Sequence, residues 1–243
     1  MSPFSLHYFP VALPFLLVLA GLLFLTVGAV ATRLLNFASA SMGIRSGPFL
    51  VLMLMSLLGS YMNIPIAMLP ERAVTTLAEV TFFGVHYVIP VVRDWPATVV
   101  AVNIGGAVIP VALSAYLILK NRLVGVSLLG IAAVAAVCHL LARPVPGLGI
   151  AIPVFVPPLV TAVVALILSR RHAAPLAYIS GSLGTLIGAD LLNLGKVQGL
   201  GAPIVSIGGA GTFDGIFVTG LFAVLYAGLA TRRSSDPDST RAR

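Results

Sequence analysis

The chain has one cysteine, Cys138, set in the apolar run VAAVCHLL. A lone cysteine excludes an internal disulfide framework, and this one reads as a small packing residue. Charge is also scarce: only 9% of the 243 residues are Asp, Glu, Lys or Arg. That leaves too little polar surface for a soluble domain of this length. Acids are scarcer still, 7 against 14 Lys and Arg. The basic excess would suit nucleic acid only if a soluble face carried it, and no such face is available. P-loop, dinucleotide-binding and serine-elbow motifs are missing. The histidines, His7, His86, His139 and His172, are not spaced as metal ligands. The sequence therefore predicts no metal, no cofactor and no nucleic-acid partner.

What the chain does have is apolar length. Hydrophobic residues make up 59%, and mean hydropathy is +1.09. This composition predicts an all-α polytopic membrane protein whose main partner is the lipid bilayer. The N-terminus lacks the Lys/Arg region of a secretory signal, so its apolar run is read as a retained first helix. Seven stretches are long enough to span: Pro10–Thr32, Pro48–Leu69, Ala97–Leu119, Leu123–Ala142, Ile150–Leu168, Leu176–Leu194 and Ile204–Ala230.

Alternate loops differ in base. One set holds Arg33, Arg45, Lys120, Arg122, Arg170, Arg171, Arg232 and Arg233; the other holds Arg72, Arg93, Arg143 and Lys196. The positive-inside rule then places the N-terminus outside and the C-terminus inside. Residues 1–231 are expected to form a single transmembrane domain in the cell (inner) membrane. Residues 232–243, RRSSDPDSTRAR, read as a disordered cytoplasmic tail. The longest loop, 71–95, is rich in Val, Thr, Phe and Tyr around Gly84, and predicts a short outer β-hairpin. One internal echo occurs: VNIGGA at 102–107 and VSIGGA at 205–210. The flanking residues diverge, and in a Gly/Ala/Val-rich chain coincidence is the simpler reading.

Two acids fall inside apolar sequence, Asp190 and Asp214. A carboxylate in hydrocarbon is costly and marks a functional site by default. Asn193 lies one helical turn after Asp190. Asp214 is set among Gly208, Gly209, Gly211 and Gly215, a density of glycine that favours an unwound helix start. Pro157 and Pro158 predict a break or kink in the fifth stretch, whose freed carbonyls would either face a cavity shared with the aspartates or be satisfied by neighbouring side chains. Two close carboxylates would share one proton. A shared proton suits water activation for peptide hydrolysis, and it suits proton coupling in a carrier equally well. Aspartates that merely cap or cross-link helices are the third reading. A membrane peptide or a small solute is the corresponding partner.

Four stretches, LLGSYMNIP (57–65), AVNIGGAVIP (101–110), IGADLLNL (187–194) and GGAGTFDGIF (208–217), resemble a family of uncharacterised prokaryotic membrane proteins, domain of unknown function 1614. More distantly, the chain is similar to intramembrane aspartyl proteases of the presenilin and prepilin-peptidase type. Those carry one catalytic aspartate on one helix and a second in a Gly-x-Gly-Asp motif on another. That resemblance implies catalytic roles for Asp190 and Asp214. It departs from the pattern in three places: Asp214 follows Gly211 by three positions, Ala189 rather than Tyr precedes Asp190, and no Pro-Ala-Leu follows.

Overall fold

The computed structural model describes residues 9–70, 72–82, 85–95, 97–145, 149–197, 203–209 and 215–234. The molecule is mostly helical. Among the described residues, four helical stretches are long and apolar enough to cross a membrane: Leu13–Ser41, Ile104–Asn121, Val124–Leu141 and Ala173–Val197. Ser46–Gly59, Val156–Leu168 and Thr219–Gly228 are shorter apolar helices. On the first helix, Leu13, Phe15, Leu22, Phe24 and Val30 all stand exposed. Continuous apolar exposure on this scale suits a hydrocarbon surrounding and supports a membrane protein.

In chain order the helices are α1 (Phe9–Ser41), α2 (Ser46–Gly59), α3 (Ile109–Asn121), α4 (Val124–Leu141), α5 (Val156–Leu168), α6 (Ala173–Thr185), α7 (Leu194–Val197) and α8 (Gly215–Ser234). The strands are β1 (Asn63–Leu69), β2 (Arg72–Phe82), β3 (Val85–Trp95), β4 (Thr98–Asn103), β5 (Arg143–Val145), β6 (Gly149–Ala151) and β7 (Ile204–Ile207).

Helix α6 is the axis of the bundle. Every residue from Ala173 to Ser182 is buried, and α3, α4, α5 and α8 all pack on it. Its Ala, Ser and Gly content permits this, because small side chains let helix backbones approach closely. Tyr178 and Ile179 join Met42, Phe49, Leu117 and Val224 in the largest apolar cluster. Against α4, a β-carbon on Gly184 would stand 2.7 Å from the Val134 Cβ, and one on Gly188 would overlap the Ala135 backbone. Gly188→Val is therefore expected to cost about 1–3 kcal/mol. The check is the unfolding midpoint of the purified protein in detergent, and an unchanged midpoint would contradict the packing.

Helices α6 and α8 run antiparallel. A β-carbon on Gly181 would stand 3.5 Å from the Gly220 Cα, and one on Gly220 would meet Ser182 and Tyr178. Farther along α8, Ala223 and Ala227 cluster with Ala173, Leu176 and Ala177, nearer the start of α6.

Three stretches expected to be helical are strands. Residues 63–69, 98–103 and 204–207 form a sheet of order β1-β4-β7. Strand β1 is antiparallel to β4, and β4 is parallel to β7. The expectation failed because a short Val/Ile-rich run has the same composition in a buried strand as in a buried helix. Pro65 lies where the β1–β4 register shifts, a place that tolerates a missing N–H. The hairpin expected over 71–95 does form, from β2 and β3, with Arg72 opposite Trp95 and Phe82 opposite Val85.

The fifth stretch also differs from expectation. Ile150 belongs to β6, and α5 begins at Val156. Pro157 and Pro158 therefore occupy the first turn of α5 and are buried there. They start a helix rather than kink one, since the first-turn N–H groups have no intrahelical partner to lose. At the other end, α8 runs to Ser234, so Arg232 and Arg233 are helical rather than part of a disordered tail. Residues 235–243 lie outside the described residues.

Candidate functional site

The helix that begins with α6 changes pitch as it approaches Asp190. Leu186–Asp190 forms a wide π-turn, Leu191–Asn193 a tight 3-10 turn, and α7 follows. Such local changes leave backbone groups without their usual partners and often mark functional sites. Asn193 is fully buried and takes up two of these groups. Its Nδ2 donates to the Gly188 carbonyl at 2.9 Å and to the Ala189 carbonyl at 2.9 Å. Its Oδ1 accepts from Lys196 Nζ at 2.9 Å. Lys196 is thus turned toward Asn193, and among the described residues it makes no ion pair with Asp190. Asn193→Leu leaves both carbonyls and the ammonium unpaired. The expected loss is roughly 1–3 kcal/mol, read as a lower unfolding midpoint.

Asp190 is half-buried at the last position of the π-turn. Its Oδ2 accepts the Gly208 N–H at 2.7 Å. Gly208 follows β7 in a turn closed by the Gly209 N–H donating to the Ser206 carbonyl at 3.3 Å. Gly208 has φ +94 and Gly209 φ +80, both in the left-handed region that favours glycine. Space imposes the same choice at Gly208, where a β-carbon would stand 2.7 Å from Ala107 N and 2.8 Å from Ala107 Cβ.

The two halves of the VNIGGA/VSIGGA echo meet at this place. Each is a strand that runs into a glycine pair. Strand β4 leads through Asn103 into a π-turn at Ile104–Val108 and then α3. Strand β7 leads through Ser206 to Gly208 and Gly209. The strands lie side by side, with Val102 opposite Ile207, a register two residues off the echo. Asn103 and Ser206, equivalent in the echo, converge on one residue. Asn103 Nδ2 donates to Asn63 Oδ1 at 3.0 Å, and Ser206 Oγ lies 2.6 Å from the same oxygen. Asn103 is fully buried; its Nδ2 also donates to the Ser60 carbonyl at 2.7 Å, and its Oδ1 accepts the Gly106 N–H at 2.8 Å.

The match that decides the family runs from the end of α2, through the sheet and the π-turns, to the middle of α8. The family described as "Protein of unknown function (DUF1614)" matches residues 57–226. The chain belongs to the DUF1614 family. That range holds both strand-to-glycine junctions and both Asp190 and Asp214. No curated protein and no solved structure matches the chain.

Of the residues singled out in the sequence, the structure joins Asp190 with Gly208 and places Asn193 under the π-turn that carries Asp190. Gly209 completes the turn, and Gly215 is the first residue of α8. Asp214 and Gly211 lie outside the described residues. Pro157 and Pro158 lie buried in the first turn of α5. Sequence reasoning missed Asn63, Asn103 and Ser206. The signal that marks the last two was the echo itself, which aligns them.

Proposed function

We propose that this protein hydrolyses peptide bonds within the membrane, with Asp190 and Asp214 as the catalytic pair. The observation that carries the reading is the bond from the Gly208 N–H to the Asp190 carboxylate. It leaves one carboxylate oxygen free of the turn, and it fixes that carboxylate against the glycine break that leads on to Asp214. The antiparallel register of α6 and α8 supports the pairing. From the Gly181–Gly220 contact, the helical path to Asp190 is roughly 13 Å, and the path to the start of α8 is roughly 8 Å in the same direction. Asp214 immediately precedes that start in the sequence. In the chemistry that follows, the ionised carboxylate takes a proton from water. The protonated one donates to the scissile carbonyl as the tetrahedral intermediate forms.

The reading includes seven membrane crossings, with the N-terminus outside, the C-terminus inside, and the chain in the inner membrane. It rests on the alternation of basic residues between loops. The test is cleavage of a membrane-embedded peptide by the reconstituted chain, with Asp190→Asn and Asp214→Asn as comparisons. Equal cleavage by either variant overturns the pairing.

Proton- or cation-coupled passage of a small solute is the second reading. The paired strand-to-helix junctions favour it, since broken helices related by internal repeats characterise carriers. Solute uptake into proteoliposomes, with no peptide cleaved, would select it.

A further inference from the structure

The polar node at the end of the three-stranded sheet sets one hydroxyl against two acceptors. Asn103 sets the count. Its Nδ2 faces the Ser60 carbonyl and its Oδ1 faces the Gly106 N–H. Rotating the amide by half a turn would oppose oxygen to oxygen and N–H to N–H, so the orientation is fixed. The second Nδ2 hydrogen then points at Asn63, at 3.0 Å, and the facing atom must be Oδ1. Asn63 is fixed in turn.

Ser206 is left between two acceptors. Its Oγ lies 2.6 Å from Asn63 Oδ1 and 2.6 Å from the Gly209 carbonyl oxygen. A hydroxyl carries one hydrogen, so it donates to one of them. The other contact is oxygen against oxygen at hydrogen-bond distance with no proton between, and at that distance two partial negative charges repel. A water molecule does not relieve it, because the gap is too short to admit one. A cation beside the three oxygens does, since each then turns a lone pair toward positive charge.

We infer that Asn63 Oδ1, Ser206 Oγ and the Gly209 carbonyl form a binding site for a small hard monovalent cation of the sodium class. Three oxygen donors and no nitrogen or sulfur select a hard ion. All three are formally neutral, whereas calcium-class sites draw on carboxylates. Asp190, whose carboxylate meets the same turn, is committed through Oδ2 to the Gly208 N–H. Gly209 has φ +80, so its carbonyl lies in a turn outside the regular ladder of β7. The site joins β1 to the break after β7, at the point where Asp190 is also held. It is independent of whether Asp190 and Asp214 cleave peptides, and its test touches neither aspartate.

The experiment is thermal unfolding of the purified full chain in detergent, in sodium, potassium or choline chloride at one ionic strength. The expected result is a higher midpoint in sodium than in choline. Ser206→Ala should lose that difference, while its midpoint in choline stays at or above that of the wild type. That second effect follows because the substitution deletes the opposed oxygen. A merely structural serine would instead lose stability in every salt. Asn63→Asp places a full charge on the ligand oxygen and should lower the sodium concentration at half-effect by about tenfold. Broadening of the ²³Na resonance gives the same midpoint without reference to unfolding. Equal midpoints in all three salts mean ordinary hydration of a polar patch and overturn the site. So does a sodium response that persists in Ser206→Ala, or one that weakens in Asn63→Asp.

Discussion

Asp190→Asn is expected to abolish cleavage of a membrane-embedded peptide while leaving the protein folded. The amide has the size of the carboxylate, and its Oδ1 can still accept the Gly208 N–H that Asp190 accepts at 2.7 Å. What is lost is the capacity to take and return a proton, worth about 10²–10⁴ in rate for a general acid or base. Asp214→Asn should match it, and the double variant should be little worse than either single one, because a pair that shares one proton fails as a unit. Asp190→Ala is a different experiment. It also leaves the buried Gly208 N–H without an acceptor, at a cost of roughly 1–3 kcal/mol. Reduced activity in the Ala variant alone would therefore report on the fold. The Asn variants separate chemistry from structure. Wild-type cleavage rates in either of them, measured with the same substrate in proteoliposomes, would remove the aspartates from the mechanism.

Gly208→Ala should produce a large loss of stability for a single-methyl change. Two costs add at one residue. At φ +94 an L side chain is strained by about 1–2 kcal/mol. The new β-carbon would also sit 2.7 Å from Ala107 N and 2.8 Å from the Gly106 carbonyl carbon, where the neighbours are backbone and cannot rotate away. Overpacking of that kind costs about 1–3 kcal/mol. The control is Gly21→Ala in α1, where nothing lies within 4 Å of the added carbon and the helix is regular. That change should be neutral or stabilising by up to about 1 kcal/mol. Equal unfolding midpoints for the two variants would show that the β7 turn is not under the constraint its geometry implies.

The apolar stretches were legible because hydrocarbon burial needs length, and length is written in the sequence. Each of the seven stretches contains a helix of the structure. The β2–β3 hairpin was legible because Val, Thr, Phe and Tyr crowd residues 71–95. The sheet was not. Thr98–Asn103 reads TVVAVN and Ile204–Ile207 reads IVSI, runs that a helix or a strand would accept equally. Their pairing with each other made them strands, across about a hundred residues of intervening chain. The prolines misled for a similar reason. Pro157 and Pro158 announce an interruption, but only the position of β6 decides that the interruption precedes α5 rather than dividing it.

By itself the sequence determined a membrane protein, a family, and the scarcity of acid that makes Asp190 and Asp214 conspicuous. These are matters of composition and of short contiguous patterns. The tertiary structure alone decided that Asp190 is held by the Gly208 N–H, that Asn193 bonds the Gly188 and Ala189 carbonyls of the π-turn, and that Asn103 and Ser206 meet at Asn63. Each of those contacts depends on two segments distant in the chain arriving at one place. Hydrogen-bond partners are chosen by distance and direction in space, which the order of residues does not record.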